Sequence, residues 1–420
     1  MGKINRRNFI KSSGSLVSGA VVSGALVSSA ALTGRAQAPS SGRNAGVNLR
    51  GPANFPNPET ASAAAGQHFV RVKNKLPKWR GFNLLDLFSP DPSQSRPATT
   101  EEQFKWMSGW GFDFVRIPMA YPAYLDFDRS RAILPDEVYN INEEALEKVD
   151  NLVALAHKYG MHASLNLHRA PGYCINAGFR EPYYLWTDQE ALDAFCFHWE
   201  MWARRYRDIP AGKISFDLVN EPSMIGNMND QHSSKGPVPG HLYRKVAKAA
   251  SEAIRGVSPR RLIIADGNNV GSEVIPEITD LDIGQSCRGY TPGIISHYKA
   301  PWANKDPENL PEPKWPGQVG DRYLSRELLE EAYKPWIALL ESGTGVHCGE
   351  CGCWNKTPHD VFLAWFNDVL DILSSNGIGY SIWEFSGDFG VLNSGRKDVE
   401  YENWYGQQLD RKMLNLLMKY

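Results

Sequence analysis

Missing from this 420-residue chain are any internal repeat, any heptad run and any long block of like charge, which excludes a solenoid, a coiled coil and a charged tail. Cysteine is scarce: Cys174, Cys196, Cys287, Cys348, Cys351 and Cys353 are too scattered for a small disulfide scaffold. Nor do they form the two separated pairs that usually hold zinc. "HCGECGC" (347–353) crowds three thiols at one strand end, and no metal or other cofactor is expected. No glycine-rich phosphate turn follows the first strand-like run, "GFNLLDLF", which disfavours a doubly wound nucleotide-binding sheet. The apolar run near the N-terminus is broken by Gly and Ser, which argues against a membrane anchor.

That N-terminal run carries an address instead. "NRRNFIK" (5–11) is basic, "SLVSGAVVSGALVSSAAL" is apolar, and "AQA" (36–38) ends in small residues, the pattern of a secretory signal. Arg6-Arg7, followed by Phe9 and Lys11, resembles a twin-arginine signal, which exports proteins already folded. Removing residues 1–38 takes away five basic and no acidic residues and moves the formal charge from −2 to −7, which disfavours a nucleic-acid partner. Residues 39–66, rich in Pro, Gly, Ser, Ala and Asn, read as a flexible leader, and residues 67–420 as one large domain. The expectation is an exported monomer, periplasmic or extracellular, with no stable membrane insertion once the signal is removed.

A hydrophobic content of 42%, with 11% aromatics, makes a large core feasible. Strand-like segments lie at 80–85, 112–118, 161–168, 214–220, 261–267, 293–298 ("GIISHY"), 345–350 and 379–385. Amphipathic helical stretches lie between and after them, at 143–159, 187–207, 239–256, 324–340, 358–375 and 407–419. "KTPHDV" (356–361) reads as a helix start with Thr357 as its cap. Eight strands alternating with helices predict an α/β fold, a single (β/α)8 TIM barrel.

In such a barrel the C-terminal strand ends build the site. Those ends hold Arg116, His168, Asn220-Glu221, His297-Tyr298, Glu350 and Trp383. Singly, each has a plain structural reading as an ion pair, a core histidine, a packed indole or a turn residue. Together they supply what glycosidic-bond cleavage needs. One carboxyl must bring a proton to the leaving oxygen, and the other must be ionised to attack the anomeric carbon. Arg116 can keep its partner ionised by charge and forked hydrogen bonds. Asn220 is placed to bond a sugar hydroxyl. Long loops at 86–99, 169–187, 222–238 and 299–323 tend to close a cleft into a pocket, which leans toward exo action. Tyr173, Trp186, Trp302, Trp315, Trp354 and Trp383 are candidates for stacking on sugar rings, about half of them expected in the core.

The segments "FDLVNEP", "GECG", "RIP", "LNLHRAPGY", "SHY" and "GYSIWEF", spread over residues 79–420, resemble glycoside hydrolase family 5. That family belongs to a clan of retaining (β/α)8 enzymes that includes cellulases and exo-β-1,3-glucanases. The tail "GDFGVLNSGRKDVEYENWYGQQLDRKMLNLL" resembles its bacterial members. The resemblance implies an O-glycosyl hydrolase with Glu221 as acid/base and Glu350 as nucleophile. Arg116, His168, Asn220, His297, Tyr298 and Trp383 would form the surrounding shell. It implies a carbohydrate substrate, foremost a β-glucan cut by an endo- or exo-glucanase. Mannan, xylan or a furanoside, transglycosylation, and glycan binding without catalysis are the alternatives. The family commonly has His-x-Tyr after strand 6, whereas "SHYKAPW" (296–302) gives His297, Tyr298 and Lys299. Either Tyr298 serves from a shifted position, or Lys299 stands at the barrel mouth where the tyrosine should be.

Overall fold

Eight parallel strands close into a ring in the computed structural model, which describes residues 74–178 and 181–420. The expected signal and leader, and the domain boundary at residue 67, lie outside the described residues. The ring consists of β1 (Arg80–Asn83), β2 (Phe114–Ala120), β3 (His162–Ala170), β4 (Ile214–Asp217), β5 (Leu262–Asp266), β6 (Gly284–Gly289), β7 (Val346–Cys351) and β8 (Gly379–Ile382). Each strand pairs in parallel with the next, and β8 returns to β1 through Arg80↔Tyr380, Gly81↔Ser381 and Phe82↔Ile382. This is the TIM barrel that the alternation predicts.

Helices α1 (Glu101–Gly109), α2 (Glu143–Lys158), α3 (Gln189–Arg205), α4 (Gly240–Val257), α5 (Arg326–Glu341) and α6 (His359–Ser375) join successive strands, and α7 (Arg411–Lys419) follows β8. Between β5 and β6 the crossover is a 3-10 turn, Pro276–Leu281. α1 is absent from the helices read off the sequence, yet its start is well marked. Thr100 and Gln103 form a capping box, and Glu101 and Glu102 face the positive end of the helix dipole. α6 corrects another expectation. Pro358, not Thr357, holds the cap position, because the Thr357 hydroxyl donates to Ile295 O at 2.5 Å. Asp398 takes over by accepting the His359 N–H at 2.7 Å.

The sixth strand requires the largest correction. "GIISHY" at 293–298 is not a strand; Gly293–Ser296 is a short helical turn. The strand is the preceding "GQSCRG", Gly284–Gly289. It lacks an apolar run because Ser286 and Arg288 face the polar interior of the barrel. Gln285, on the other face, bonds the Ile275 backbone at 2.8 Å in both directions. Burial on both faces therefore need not show as hydrophobicity when the interior is itself a hydrogen-bonded network.

The N-terminal end of the barrel is plugged. Trp79 stacks on His162 with 4.0 Å between ring centres, and Phe114 packs on His347 at 4.7 Å. Both imidazoles are buried, which lowers their pKa to about 3, and their Nε2 atoms bond the Ser215 and Ser381 hydroxyls at 2.9 and 3.1 Å. Close approach of β1 to β2 demands glycine at 81, where a Cβ would lie 1.7 Å from Phe114 O. The clashing atom is backbone, so it cannot rotate away. Gly81→Ala is expected to cost about 3 kcal/mol or more. A denaturant midpoint unchanged from that of the unmodified protein would contradict this packing.

Candidate active site

Two local devices turn the carboxylates into the barrel mouth. On β7, Cys348 pairs with Cys287 but Glu350 pairs with Arg288, so Gly349 is one residue too many for the ladder. This bulge swings Glu350 onto the face that Arg288 occupies. A Cβ at 349 would meet Ser286 Oγ at 2.5 Å, so a larger residue there would have to displace the hydroxyl that accepts the Gly349 N–H. On the β4 side, the chain leaves Asp217 and reaches Glu221 in a left-handed conformation, φ +48°, which is costly for a residue other than glycine. Two contacts fix it. The Glu221 N–H donates to Asp266 Oδ2 at 3.0 Å, and its carbonyl accepts from the Tyr173 hydroxyl at 2.7 Å.

Arg116, only 1% exposed, organises the floor of the site. It donates to Asp217 Oδ2 (2.7 Å), Asn83 Oδ1 (3.0 Å), Glu350 Oε1 (2.6 Å) and Asn220 Oδ1 (2.8 Å). Removing one partner of such a buried network costs roughly 3–5 kcal/mol, because the remaining charges stay buried and unmatched. Asn220 turns its oxygen to two arginines, with Arg288 Nη2 at 3.0 Å. Its amide NH2 is left without a partner. A buried donor in that state is suited to a substrate hydroxyl.

A second arginine, Arg288, completes the network. It forks onto Asp266, with Nη1 to Oδ1 at 3.0 Å and Nη2 to Oδ2, and it reaches both Glu221 Oε1 and Glu350 Oε1 at 3.2 Å. The Tyr290 hydroxyl lies 3.4 Å from Glu350 Oε2. Donors therefore meet both oxygens of Glu350, as an attacking anion needs. Glu221 differs. Burial, then the charge of Glu350, raises its pKa to about 7 against the opposing pull of Arg288. Against the burial that would raise it, Arg288 and Arg116 hold the Asp266 carboxyl below its ordinary value. Two guanidinium groups thus serve Asp217, Asp266, Glu221 and Glu350; burial raises both Asp217 and Glu221 to about 7, but of these two only Glu221 lines the cleft, where a proton kept near neutrality can reach a ligand.

These groups open into a cleft of about 720 Å³, within the range of small-ligand sites. His168, His297 and Trp383 line it, as do Trp302 and Trp354. Burial, then Arg116, holds His168 well below its ordinary pKa, so its imidazole is neutral. His168 packs edge-on to Phe88 at 4.6 Å and against Trp383 at 5.6 Å. Of the six aromatic candidates, Tyr173, Trp186 and Trp315 are buried in the core, while Trp302, Trp354 and Trp383 face the cleft. Loops are tied together around the rim. Arg96 after β1 pairs with Glu384 after β8, and Ala177 N donates to Gln231 Oε1 at 2.8 Å between the β3 and β4 loops.

Tyr298 and Lys299 are not brought to the site. Neither lines the cleft, and Lys299 pairs with Glu308 at 3.1 Å on an exposed loop. The reason is the position of β6: the strand ends at Gly289, before "GIISHY" begins, and Tyr290 follows it directly. Tyr290 therefore reaches Glu350, and an arginine stands two residues before it where the family pattern has histidine. Sequence reading missed Arg288, Tyr290, Asp217 and Asp266. A usable signal is present: an arginine between a cysteine and Gly-Tyr, in a stretch of about 25 residues to which the apolar pattern assigns no strand. Among the described residues no group of His, Cys, Asp and Glu is arranged to hold a metal, and all six cysteines are unpaired.

Comparison with known proteins adds an independent line. The cellulase family, glycosyl hydrolase family 5, matches residues 64–388. Endoglucanase C of Acetivibrio thermocellus is 26% identical over 328 residues, covering 72% of this chain and 89% of that protein. Cellodextrinase A of Ruminococcus flavefaciens is 25% identical over 285 residues, covering 66% and 76%. The crystal structure of a glycoside hydrolase, 35% identical, matches with a TM-score of 0.73 over 81% of this chain and 99% of that one. The same barrel that brings Glu221 and Glu350 onto one guanidinium falls largely within the matched region, and the chain is a member of glycosyl hydrolase family 5, an O-glycosyl hydrolase.

Proposed function

We propose that the protein hydrolyses a β-glucan with retention of configuration, through a covalent glycosyl-enzyme intermediate formed on Glu350. The observation that carries this reading is the split between two carboxyl groups on one guanidinium. Glu350 accepts from Arg116, Arg288 and Tyr290, while Glu221 keeps its proton to about pH 7. Glu221 protonates the leaving oxygen as Glu350 Oε2, the oxygen not taken by the arginines, attacks the anomeric carbon. Glu221, now a carboxylate, then draws a proton from the water that releases the sugar. The Asn220 NH2 meets a hydroxyl of the sugar beside the nucleophile, and Trp383 supports that ring through its face.

The β-glucan assignment is supported by the names of the relatives, an endoglucanase and a cellodextrinase. Incubation with a panel of β-1,4- and β-1,3-glucans, mannan and xylan tests it, with product lengths followed over time. Glucans are expected to be cleaved first, with the β-anomer appearing before mutarotation. Cleavage confined to mannan or xylan would overturn the substrate assignment, and initial release of the α-anomer would overturn the mechanism. Residues 1–38 are proposed as a twin-arginine export signal and 39–66 as a leader, which places the monomeric enzyme in the periplasm or outside the cell. The support is the Arg6-Arg7 pair, the apolar run and the Ala-Gln-Ala end in the sequence.

A further inference from the structure

We infer that Arg288 is a positioning residue that aims the carboxyl group of Glu221 and holds it against Glu350 through a single guanidinium. The inference rests on the reading of Glu221 as the proton donor. Arg288 has no freedom to turn. Its fork onto Asp266 fixes the guanidinium plane, Ser286 Oγ meets Nη1 at 3.2 Å, and Asn220 Oδ1 meets Nη2 at 3.0 Å. A Cβ at Gly271 would touch Arg288 Cγ at 2.5 Å, so the stem is packed as well. In that fixed plane Nε points at Glu221 Oε1. Asp266 also accepts the Glu221 backbone N–H, so β5 holds the main chain and β6 holds the carboxyl. Arg116 does not aim Glu221, because its bonds go to Asp217, Asn83, Asn220, Glu350 and Asp266. Among the described residues Arg288 alone forms an ion pair with Glu221.

A guanidinium at this place has a consequence for pH. Facing Glu221 are Tyr173 and Cys174 after β3, Asp266 from β5, Arg288 from β6, Tyr290 after β6 and Glu350 from β7. Both tyrosines and the thiol are neutral near pH 7, since burial raises all three. Glu350 and Asp266 favour protonation of Glu221, and Arg288 opposes them. Loss of that charge lets Glu221 keep its proton to higher pH.

Three variants test the assignment: Arg288→Met, Arg288→Met with Asp266→Asn, which removes the orphaned acid if the first fails to fold, and Arg288→Lys. Each is assayed as kcat/KM against pH on two aryl β-cellobiosides, one with a good and one with a poor leaving group. Arg288→Met is expected to move the basic limb up by about one pH unit or more. It should also lose on the order of a hundredfold on the poor leaving group and much less on the good one. The double variant should shift in the same direction by less. Arg288→Lys should keep the limb near its place while still losing on the poor leaving group, because the charge remains and the aim is lost. An unmoved limb in folded Met variants, or equal losses on both substrates, overturns the inference. Glu221→Ala is run alongside. If it discriminates between leaving groups and the Met variants do not, Arg288 has only a structural role and the proton-donor reading stands. If Glu221→Ala shows no discrimination, that reading falls and the role of Arg288 falls with it.

Discussion

Glu350→Ala is expected to reduce kcat/KM on an aryl β-cellobioside by on the order of 10⁵-fold, the scale seen when a covalent nucleophile is removed. Leaving-group quality should not rescue it, because the missing group is the attacking one. Added azide should. With the carboxylate gone, the space in front of Arg116 and Tyr290 admits a small anion, which meets the same donors that Glu350 Oε1 and Oε2 meet now. Azide then displaces the aglycone in one step, so a β-glycoside should yield an α-glycosyl azide. Formation of the β-azide, or substantial activity without azide, would show that another group attacks.

Glu221→Ala should separate the two half-reactions. A substrate with a poor leaving group needs its oxygen protonated, and the loss there should be on the order of 10²- to 10⁴-fold, the contribution of general acid catalysis. Dinitrophenolate leaves without help, so glycosyl-enzyme should still form and then accumulate, because no base remains to activate water. Azide needs no base and should intercept the intermediate to give the β-glycosyl azide, opposite to the product from Glu350→Ala. The basic limb of kcat/KM supplies a second readout. In the unmodified enzyme activity requires protonated Glu221, so it should fall as pH rises through about 7. In Glu221→Ala, with the dinitrophenyl substrate, that limb should disappear. A limb that persists would assign the proton to another group.

Much of the fold and site is legible in the sequence. Seven of the eight barrel strands declare themselves as apolar runs, among them "FDFVRIP", "FDLVN" and "IIADG", and their polar ends locate Arg116, His168, Asn220, Glu221 and Glu350. The sixth strand does not, because "GQSCRG" places serine and arginine inward and has glycine at both ends, where strand propensity is lowest. "GIISHY" mimics a strand with two isoleucines and an aromatic end, and it draws attention to Tyr298 and Lys299 instead of Tyr290. Asp217 and Asp266 are hidden for another reason. Each is an ordinary strand residue until arginines from β2 and β6 arrive, contributed by segments as far as 150 residues away. Pairing of that kind is a property of the closed barrel, whereas a local pattern such as Asn-Glu-Pro survives in one dimension. The bulge at Gly349 lies between these cases: glycine beside Glu350 suggests space, but only the register of β7 on β6 shows that it re-aims the carboxylate.

The most direct measurement is to trap the intermediate. A 2-deoxy-2-fluoro-β-cellobioside with a dinitrophenyl leaving group should inactivate the enzyme with release of one equivalent of phenolate, since the fluorine slows both formation and breakdown of the glycosyl-enzyme while the good leaving group speeds its formation alone. Intact mass should rise by one fluorocellobiosyl unit, and peptide mapping should place that unit on Glu350 in "HCGECGC". A label on Glu221 or any other residue, or inactivation without a mass increase, would contradict the assignment of Glu350 as the nucleophile.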